Sequence, residues 1–556
     1  MCSIAFRLLV FVSCIVSVSQ AQTIQVGQSA LEEWIRRSDL KDSTGDGAGL
    51  LIRPVTQLKA SDYDSLLSRF SGVASANRYP IFNGKGAVRL LPASFQQQYN
   101  SHHSYGWNDG SLFPAKGYQL RASAGIAASY GILSVQFQPE FVYADNPSFK
   151  GFSPYHSDST WYYYYQFQND IDMPERFGNG ALTRMFPGQS SVRLNYKGMS
   201  LGISSENLWW GPGYRNSLLM SNTAPGFYHL SFNSTRPHKT FLGKFEWQLI
   251  AGKLENSGIL PVDTSRRLNG QPLYEPKKNS DRYINAVVIT WQPKWIRGLH
   301  LGFARSFFQY SDNIPGGLNG YLPVFSAFFK GNARDEMSFG RDQLLSLFFR
   351  WKFPKEQMEV YGEWGRNDHS GNLSDLLMEP EHSRAYILGF RKLFKLRKDR
   401  NLEFFTELTQ LETPPTKLVR ALQPWYAHYQ VQHGYTNRGQ VLGAGIGPGS
   451  NSQTIGVNWI DKQVNKTGVS LERIVRNNDF YFLAFSGSGD YRSHWVDIGL
   501  TGTRSWVKNR FMYTANLSLI RTMNYQWKNG RNDAANDPYR SNVNHMQLGL
   551  TVGYLF

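Results

Sequence analysis

The 556-residue chain has a formal net charge of +17, 15% aromatic residues and a mean hydropathy of −0.42, with no apolar run long enough for a transmembrane helix. A polar average does not exclude a membrane β-barrel, because lipid-facing and lumen-facing residues alternate along each strand and their hydropathies cancel. The two cysteines, Cys2 and Cys14, both fall in the first 21 residues, so the rest of the chain is excluded from disulfides, thiolate metal sites and cysteine nucleophiles.

The chain opens "MCSIAFRLLVFVSCIVSVSQAQT". Basic Arg7 precedes an apolar run from Leu8 to Val18, and small residues stand at Ser19 and Ala21. This predicts a signal peptide over 1–21, cleaved near Ala21. Lipidation at Cys14 is the poorer reading, since little apolar chain precedes it and Phe11 stands three residues upstream. An exported chain with no further cysteine suits the envelope of a Gram-negative bacterium.

Residues 22–100 read as a helical plug segment. Ser29-Ala-Leu-Glu32 and Ser61-Asp-Tyr-Asp64 both resemble capping boxes. Leu31, Trp34 and Ile35 give the first helix an apolar side; Tyr63, Leu66, Leu67 and Phe70 give the second one. "KDSTGDGAG" between them reads as a loop. Two short amphipathic helices cannot bury their faces alone. The lumen or periplasmic mouth of a barrel would cover them.

Residues 101–556 read as that barrel. Runs such as "FLGKFEWQLIAG", "MEVYGEWG" and "LEFFTELTQL" alternate: Phe241, Gly243, Phe245, Trp247 and Leu249 share one face, with Lys244, Glu246 and Gln248 on the other. Such runs predict about 16 to 18 antiparallel strands of roughly ten residues, the length a tilted strand needs to cross a bilayer. Short links such as "NKT" alternate with long ones over 143–189, 253–282 and 411–438, the rhythm of periplasmic turns and outer loops. The last run, "MQLGLTVGYLF", puts Met546, Leu548, Leu550, Val552, Tyr554 and Phe556 on one face, as in a C-terminal barrel strand. The fold expected is an all-β transmembrane barrel of about 18 strands, with the helical segment at its periplasmic end.

Enzyme signatures are missing, and no cofactor or metal is implied. "GAGIGPG" (Gly443 to Gly449) has Pro448 where a dinucleotide fingerprint needs glycine, and reads as a barrel bend or turn. The carboxylate pairs Asp170/Asp172 and Glu379/Glu381 lack any fixed geometry. What stands out is three aromatic clusters with cations and amides beside them. The first is "STWYYYYQFQND", with Trp161 and Tyr162 to Tyr165. "WWGPGYRNS" holds Trp209, Trp210, Tyr214, Arg215 and Asn216. "QPWYAHYQVQHGYTNRGQ" holds Trp425, Tyr426, His428, Tyr429, His433, Tyr435 and Arg438. Aromatic faces suit the C–H faces of sugar rings, and Arg and Asn suit hydroxyls and uronate carboxylates. The competing reading is the aromatic girdle of a barrel. A basic surface also attracts polyanions, here acidic capsular or extracellular polysaccharide and the phosphates of lipopolysaccharide rather than nucleic acid.

At "ENLWWGPGYRNSLLMSNTAPGF" the chain resembles the capsule assembly Wzi family, and "HGYTNRGQVLGAGIGPGSNS", "GWNDGSLFPAKGYQLRASAG" and, more weakly, "VYGEWGRNDHSG" extend the likeness. The resemblance implies an 18-stranded outer-membrane lectin that holds capsular polysaccharide at the cell surface, with helices closing the periplasmic end. The long loops differ from those of enterobacterial members, being richer in Tyr. The reading is a non-enzymatic lectin whose partners are polysaccharide, outer-membrane lipid and the barrel-insertion machinery. A porin or glycan-uptake channel is the alternative, and an outer-membrane hydrolase the third. In the Trp209-Trp210 pair, strand alternation predicts one ring toward lipid or the interface and the other toward the lumen. Gly-Pro-Gly would then turn the strand.

Overall fold

The computed structural model describes residues 21–41, 49–59, 67–68, 70, 78–328, 340–367, 377–397, 400–414, 423–461, 464–485, 493–527 and 542–556. The expected leader and most of the second expected helix lie outside the described residues.

Eighteen antiparallel strands close into one barrel. They are β1 (Gly86–Asn100), β2 (Gly117–Tyr130), β3 (Leu133–Phe137 and Glu140–Ala144), β4 (Leu182–Phe186 and Ser191–Tyr196), β5 (Met199–Ser204) and β6 (His229–Ser234 and His238–Thr240). Next come β7 (Gly243–Leu254), β8 (Arg282–Pro293), β9 (Leu299–Tyr310), β10 (Arg341–Phe353), β11 (Met358–Asn367) and β12 (Arg384–Lys395). The last are β13 (Asn401–Gln410), β14 (Asn451–Asp461), β15 (Asn465–Val475), β16 (Val496–Lys508), β17 (Phe511–Met523) and β18 (Val543–Tyr554). Each strand pairs with its neighbour in the chain. The ring closes where β18 meets β1, from Gln547↔Asn100 to Tyr554↔Ala93. Closure leaves no open edge, as a bilayer requires of a sheet. The first strand starts at Gly86, ahead of residue 101, where the sequence reading begins the barrel.

Short turns and long connections alternate strictly around the ring, so all the short turns lie at one end, beside the start of β1 and the end of β18. By the barrel pattern that end is periplasmic. Exposed aromatics gather there, among them Tyr130, Tyr196, Trp295, Trp351, Trp459 and Phe511, as an interfacial girdle. Higher on the wall the outward positions are aliphatic. One row runs across paired strands through Ile455, Leu471, Leu500 and Leu519.

Inward positions carry the opposite chemistry. Along β13 the buried residues are Asn401, Glu403, Phe405, Glu407 and Thr409, every second one. These carboxylates face a filled lumen. Helix α1 (Ser29–Lys41) lies inside the ring and buries Glu33, Arg36, Arg37 and Asp39 as well as Leu31 and Trp34. The apolar side read from the sequence is covered as expected, and the charged side is covered too. Trp34 packs edge-on against Phe70, the described remnant of the second expected helix.

Candidate functional site

The long connections build the end of the barrel opposite the short turns, in two layers. The lower layer is made by two connections that fold back into the lumen, 205–228 between β5 and β6 and the 423–450 part of the link between β13 and β14. Their apolar side chains form one cluster with the inner wall, including Trp210, Leu218, Leu219, Trp425, Tyr426 and Tyr435. Both are pinned by polar contacts to the wall. Glu407 accepts hydrogen bonds from the backbone N–H groups of Tyr214 (2.6 Å), Arg215 (3.0 Å) and Asn216 (2.9 Å) and from the Tyr361 hydroxyl (2.9 Å). Arg282 donates to the carbonyls of Gly434 (2.8 Å) and Thr436 (3.0 Å). The "GAGIGPG" stretch is a turn within this layer, not a barrel bend. A Cβ at Gly443 would sit 2.1 Å from the Leu218 carbonyl oxygen, so glycine lets the two inserted connections touch backbone to backbone.

The upper layer is an aromatic cap. Ser157 caps helix α2 (Asp158–Asn169), its Oγ accepting from Thr160 N–H at 3.2 Å. Trp161, Tyr164 and Tyr165 fall at i, i+3 and i+4 and are buried, while Tyr162 faces out. Phe152 stacks on Tyr164 at 4.0 Å, and helix α3 (Asn478–Phe485) adds Phe480, Tyr481 and Phe485. The tyrosine run is therefore mainly the core of the cap. Two carboxyls, half-buried Glu175 and buried Asp479, sit in its frame. Burial lifts Glu175, which accepts from Phe152 N–H (2.8 Å) and the Gln526 amide (3.1 Å), to about 7. Burial likewise lifts Asp479, which accepts from Thr413 N–H and Oγ1 (both 2.9 Å), to about 7.

The twelve residues singled out in the sequence separate into three groups. Trp209, Trp210, Tyr214, Arg215 and Asn216 lie deep in the lumen. Trp209 and Trp210 both meet protein, which corrects the expectation that one ring faces lipid. The pair forms a two-residue ladder with Ile52–Arg53, so both sides of this strand are inside the ring. Trp210 donates to Gln248 at 2.9 Å, and the Arg53 guanidinium lies 4.4 Å over Trp209. Tyr214 donates to Glu33 of α1 (2.7 Å), Arg215 grips Glu472 (2.9 and 3.1 Å), and Asn216 donates to Thr409 (3.1 Å). In the second group Trp425, Tyr426, His433 and Tyr435 are buried. Trp425 donates to the Ser383 carbonyl (2.9 Å), Tyr426 to the Leu218 carbonyl (2.8 Å) and Tyr435 to Ser306 (3.1 Å). Nδ1 of His433 bonds the Tyr310 hydroxyl at 2.9 Å, and burial, with Arg282 and Lys277 nearby, lowers its pKa to about 3, so it is neutral.

The third group reaches the surface. Tyr429 is 49% exposed and stacks on half-buried His428 at 5.1 Å, and Arg438 pairs with Glu255 at the rim. Tyr162, from the first aromatic cluster read in the sequence, accompanies Tyr429 outside. Tyr155, Tyr321, Phe325 and Phe482, with Lys150, Arg267 and Lys278, are exposed on the same set of long connections and were missed in the sequence. The available signal was helical period within 158–169, which separates outward Tyr162 from its buried neighbours. Asp170 and Asp172 serve the structure: Asp172 accepts from Ser257 N–H at 2.7 Å. Among the described residues the outer end thus has a packed inner floor, with aromatic rings, cations and acids such as Asp158 and Asp312 exposed above it.

The family model described as capsule assembly protein Wzi matches residues 96–497. Among solved structures, the chain is similar to Wzi from Escherichia coli, described as a carbohydrate-binding outer-membrane β-barrel involved in group 1 capsule assembly. The TM-score is 0.61 at 14% identity, covering 96% of this chain and 100% of that one. OccAB1 from Acinetobacter baumannii matches at a TM-score of 0.39 and 9% identity over 87% of this chain and 100% of that one. OprB from Pseudomonas putida matches at 0.33 and 11% over 84% and 94%. No curated protein matches the chain by sequence.

Proposed function

The chain belongs to the capsule assembly Wzi family, and from that membership we propose that it is a non-enzymatic outer-membrane lectin that attaches or organises capsular or extracellular polysaccharide at the cell surface. The observation that carries this reading is the outer end itself. Its loops are spent on filling the lumen and on an aromatic cap, and the side chains left outside include aromatic rings and cations, with acids such as Asp158, Glu275 and Asp312 among them. Rings such as Tyr162 and Tyr429 offer flat faces to sugars, and lysines and arginines attract acidic polymer. Weak single contacts suffice, because a long polymer engages many barrels at once. Of the residues singled out in the sequence, Tyr429, His428 and Arg438 stand as direct contacts. The other nine, seven of them buried and Tyr214 and Arg215 half-buried, act by holding the loops that present them. Residues 1–21 serve as an export leader cleaved near Ala21, 22–85 as the plug segment, and the barrel is inserted by the outer-membrane assembly machinery among lipopolysaccharide, whose phosphates its basic rim matches.

The test is a cell lacking this protein, assayed for cell-attached against released polysaccharide at constant total. Polymer shed into the medium supports the lectin. Unchanged attachment rejects it, and conductance and polymer-shortening assays then address the channel and hydrolase alternatives.

A further inference from the structure

The plug fills the lumen unevenly. Against β7–β14 it packs apolar side chains and ion pairs. Against β1, β2 and β16–β18 it leaves a cavity of about 430 Å³, within the size range of small-molecule sites. The cavity extends from Gly553 and Met512, near the short-turn end, up to Tyr105 and Trp107 in the connection between β1 and β2.

We propose that this luminal cavity binds a short neutral saccharide, at a site separate from the outer face. Three observations carry the assignment. The wall is made of neutral amides and hydroxyls, such as Gln96, Gln98, Gln547, Asn516, Thr503 and Thr514, groups that exchange hydrogen bonds with sugar hydroxyls. The rim of the plug brings two tryptophans into the lining, Trp107 and the buried Trp209, and their indole N–H groups have no acceptor; the Oε1 of Gln28, also in the lining, has no donor. Buried donors and acceptors left open cost free energy unless a ligand or water completes them. The cations that line the cavity are already committed to acids: Arg53 to Glu32 (3.3 Å), Lys466 to Glu33 (2.7 Å), Arg215 to Glu472 (2.9 Å) and Arg36 to Glu359 (2.6 Å). Arg391 is likewise paired with Glu403, and Arg121 lies 4.0 Å from Glu140. Among the described residues each lining cation thus has an acid beside it, so a uronate would meet no uncompensated charge, whereas a neutral saccharide can still take open donors such as Arg53 Nε and Arg391 Nε.

The experiment uses the full-length protein purified in a sugar-free detergent and titrated with maltotriose as probe, read by tryptophan fluorescence and calorimetry. Saturable binding is expected, with glucuronate binding at least tenfold more weakly. Thr503→Trp, which fills the cavity, and Gln98→Leu, which keeps its volume but removes the amide, should each weaken the probe at least tenfold. Both variants should retain the heat-dependent electrophoretic mobility of a folded barrel and hold polysaccharide on cells as the parent does. That last readout separates failure here from failure of the surface role. Absence of saturable binding, glucuronate binding as well as maltotriose, or binding unchanged in both folded variants overturns the proposal.

Discussion

Removing one luminal carboxylate should release the plug without opening the barrel. Glu359 of β11 is fully buried and accepts from Arg36 of α1 (2.6 Å) and from Arg350 of β10 (2.6 Å), with Arg391 of β12 at 3.9 Å. In Glu359→Gln, Arg350 keeps Asp39 (2.9 Å) and Arg391 keeps Glu403. Arg36 has no other acid partner among the described residues, and its Nη2 is already without an acceptor. Breaking a buried pair from one side costs about 3–5 kcal/mol, because the remaining charge stays desolvated. The cheapest escape is for α1 to leave, since the strand ladders do not depend on it. At about 1.4 kcal/mol per factor of ten, the open population of α1 should rise by roughly two to three orders of magnitude. The assay is trypsin cleavage at Arg36 and Arg37 in the intact, detergent-solubilised protein, with the heat-dependent mobility shift as a check that the barrel persists. A change in cleavage rate of less than tenfold, with the barrel intact, would refute the claim that this network holds the helix in place.

Glu175 and Asp479 predict a pH dependence of the outer cap. Their folded pKa values, about 7, lie above the ordinary carboxyl values of 4.5 and 3.8, so their contribution is complete below about pH 4 and is lost as pH rises through 7. Hydrogen exchange in 152–169, corrected for intrinsic rate, should show more protection at pH 5 than at pH 8, and Glu175→Gln should flatten the difference. Trp425→Ala should lower stability by about 3–5 kcal/mol, read as an earlier midpoint in thermal unfolding, because it empties a fully buried site. Tyr429→Ala and Tyr162→Ala should leave that midpoint within about 0.5 kcal/mol, since both rings are exposed, while lowering polymer retention on purified protein. Glu407→Gln should loosen the 205–228 connection by about 1–3 kcal/mol, detected as faster exchange of the Tyr214, Arg215 and Asn216 amides.

The strands were legible because one side of each meets lipid and the other does not. Period-two alternation then places Trp247 outside and Gln248 inside without further information. The Trp209-Trp210 pair defeated the same rule, because alternation assigns faces only where the two sides differ. This strand lies within the ring, paired with Ile52–Arg53, and protein covers both of its sides. The aromatic loops misled for a related reason. Sugar faces and protein cores ask for the same rings, and Trp425 and Tyr429 differ only in which way the connection folds, which Arg282 helps to decide from a strand far away in sequence. The helical period in 158–169 was present but masked by its flanks, since a run of four tyrosines reads as composition before it reads as a face.

The polarity of the plug follows from the wall it must match. A strand that crosses a membrane needs its outward positions apolar, and if the inward positions were apolar as well the strand would lose the alternation that sets its register. The lumen is accordingly rich in polar and charged side chains. A plug that met those groups with an apolar face would leave Glu359, Glu403 and Arg350 with only their partners on the wall, so α1 carries Arg36, Arg37 and Asp39 on the side that faces them. Paired buried charges add little net stability but penalise every misplacement, since a shift by one turn leaves several of them unpaired together. The same reasoning predicts that exchanging the charges of a single pair, as in Asp39→Lys combined with Lys352→Asp, fails to restore the plug. Asp39 also accepts from Arg350 at 2.9 Å, so a lysine there would face a buried guanidinium. Trypsin protection of α1 in the double variant should stay as low as in Asp39→Lys alone, and recovery to the parent level would show that the pairs act independently rather than as one network.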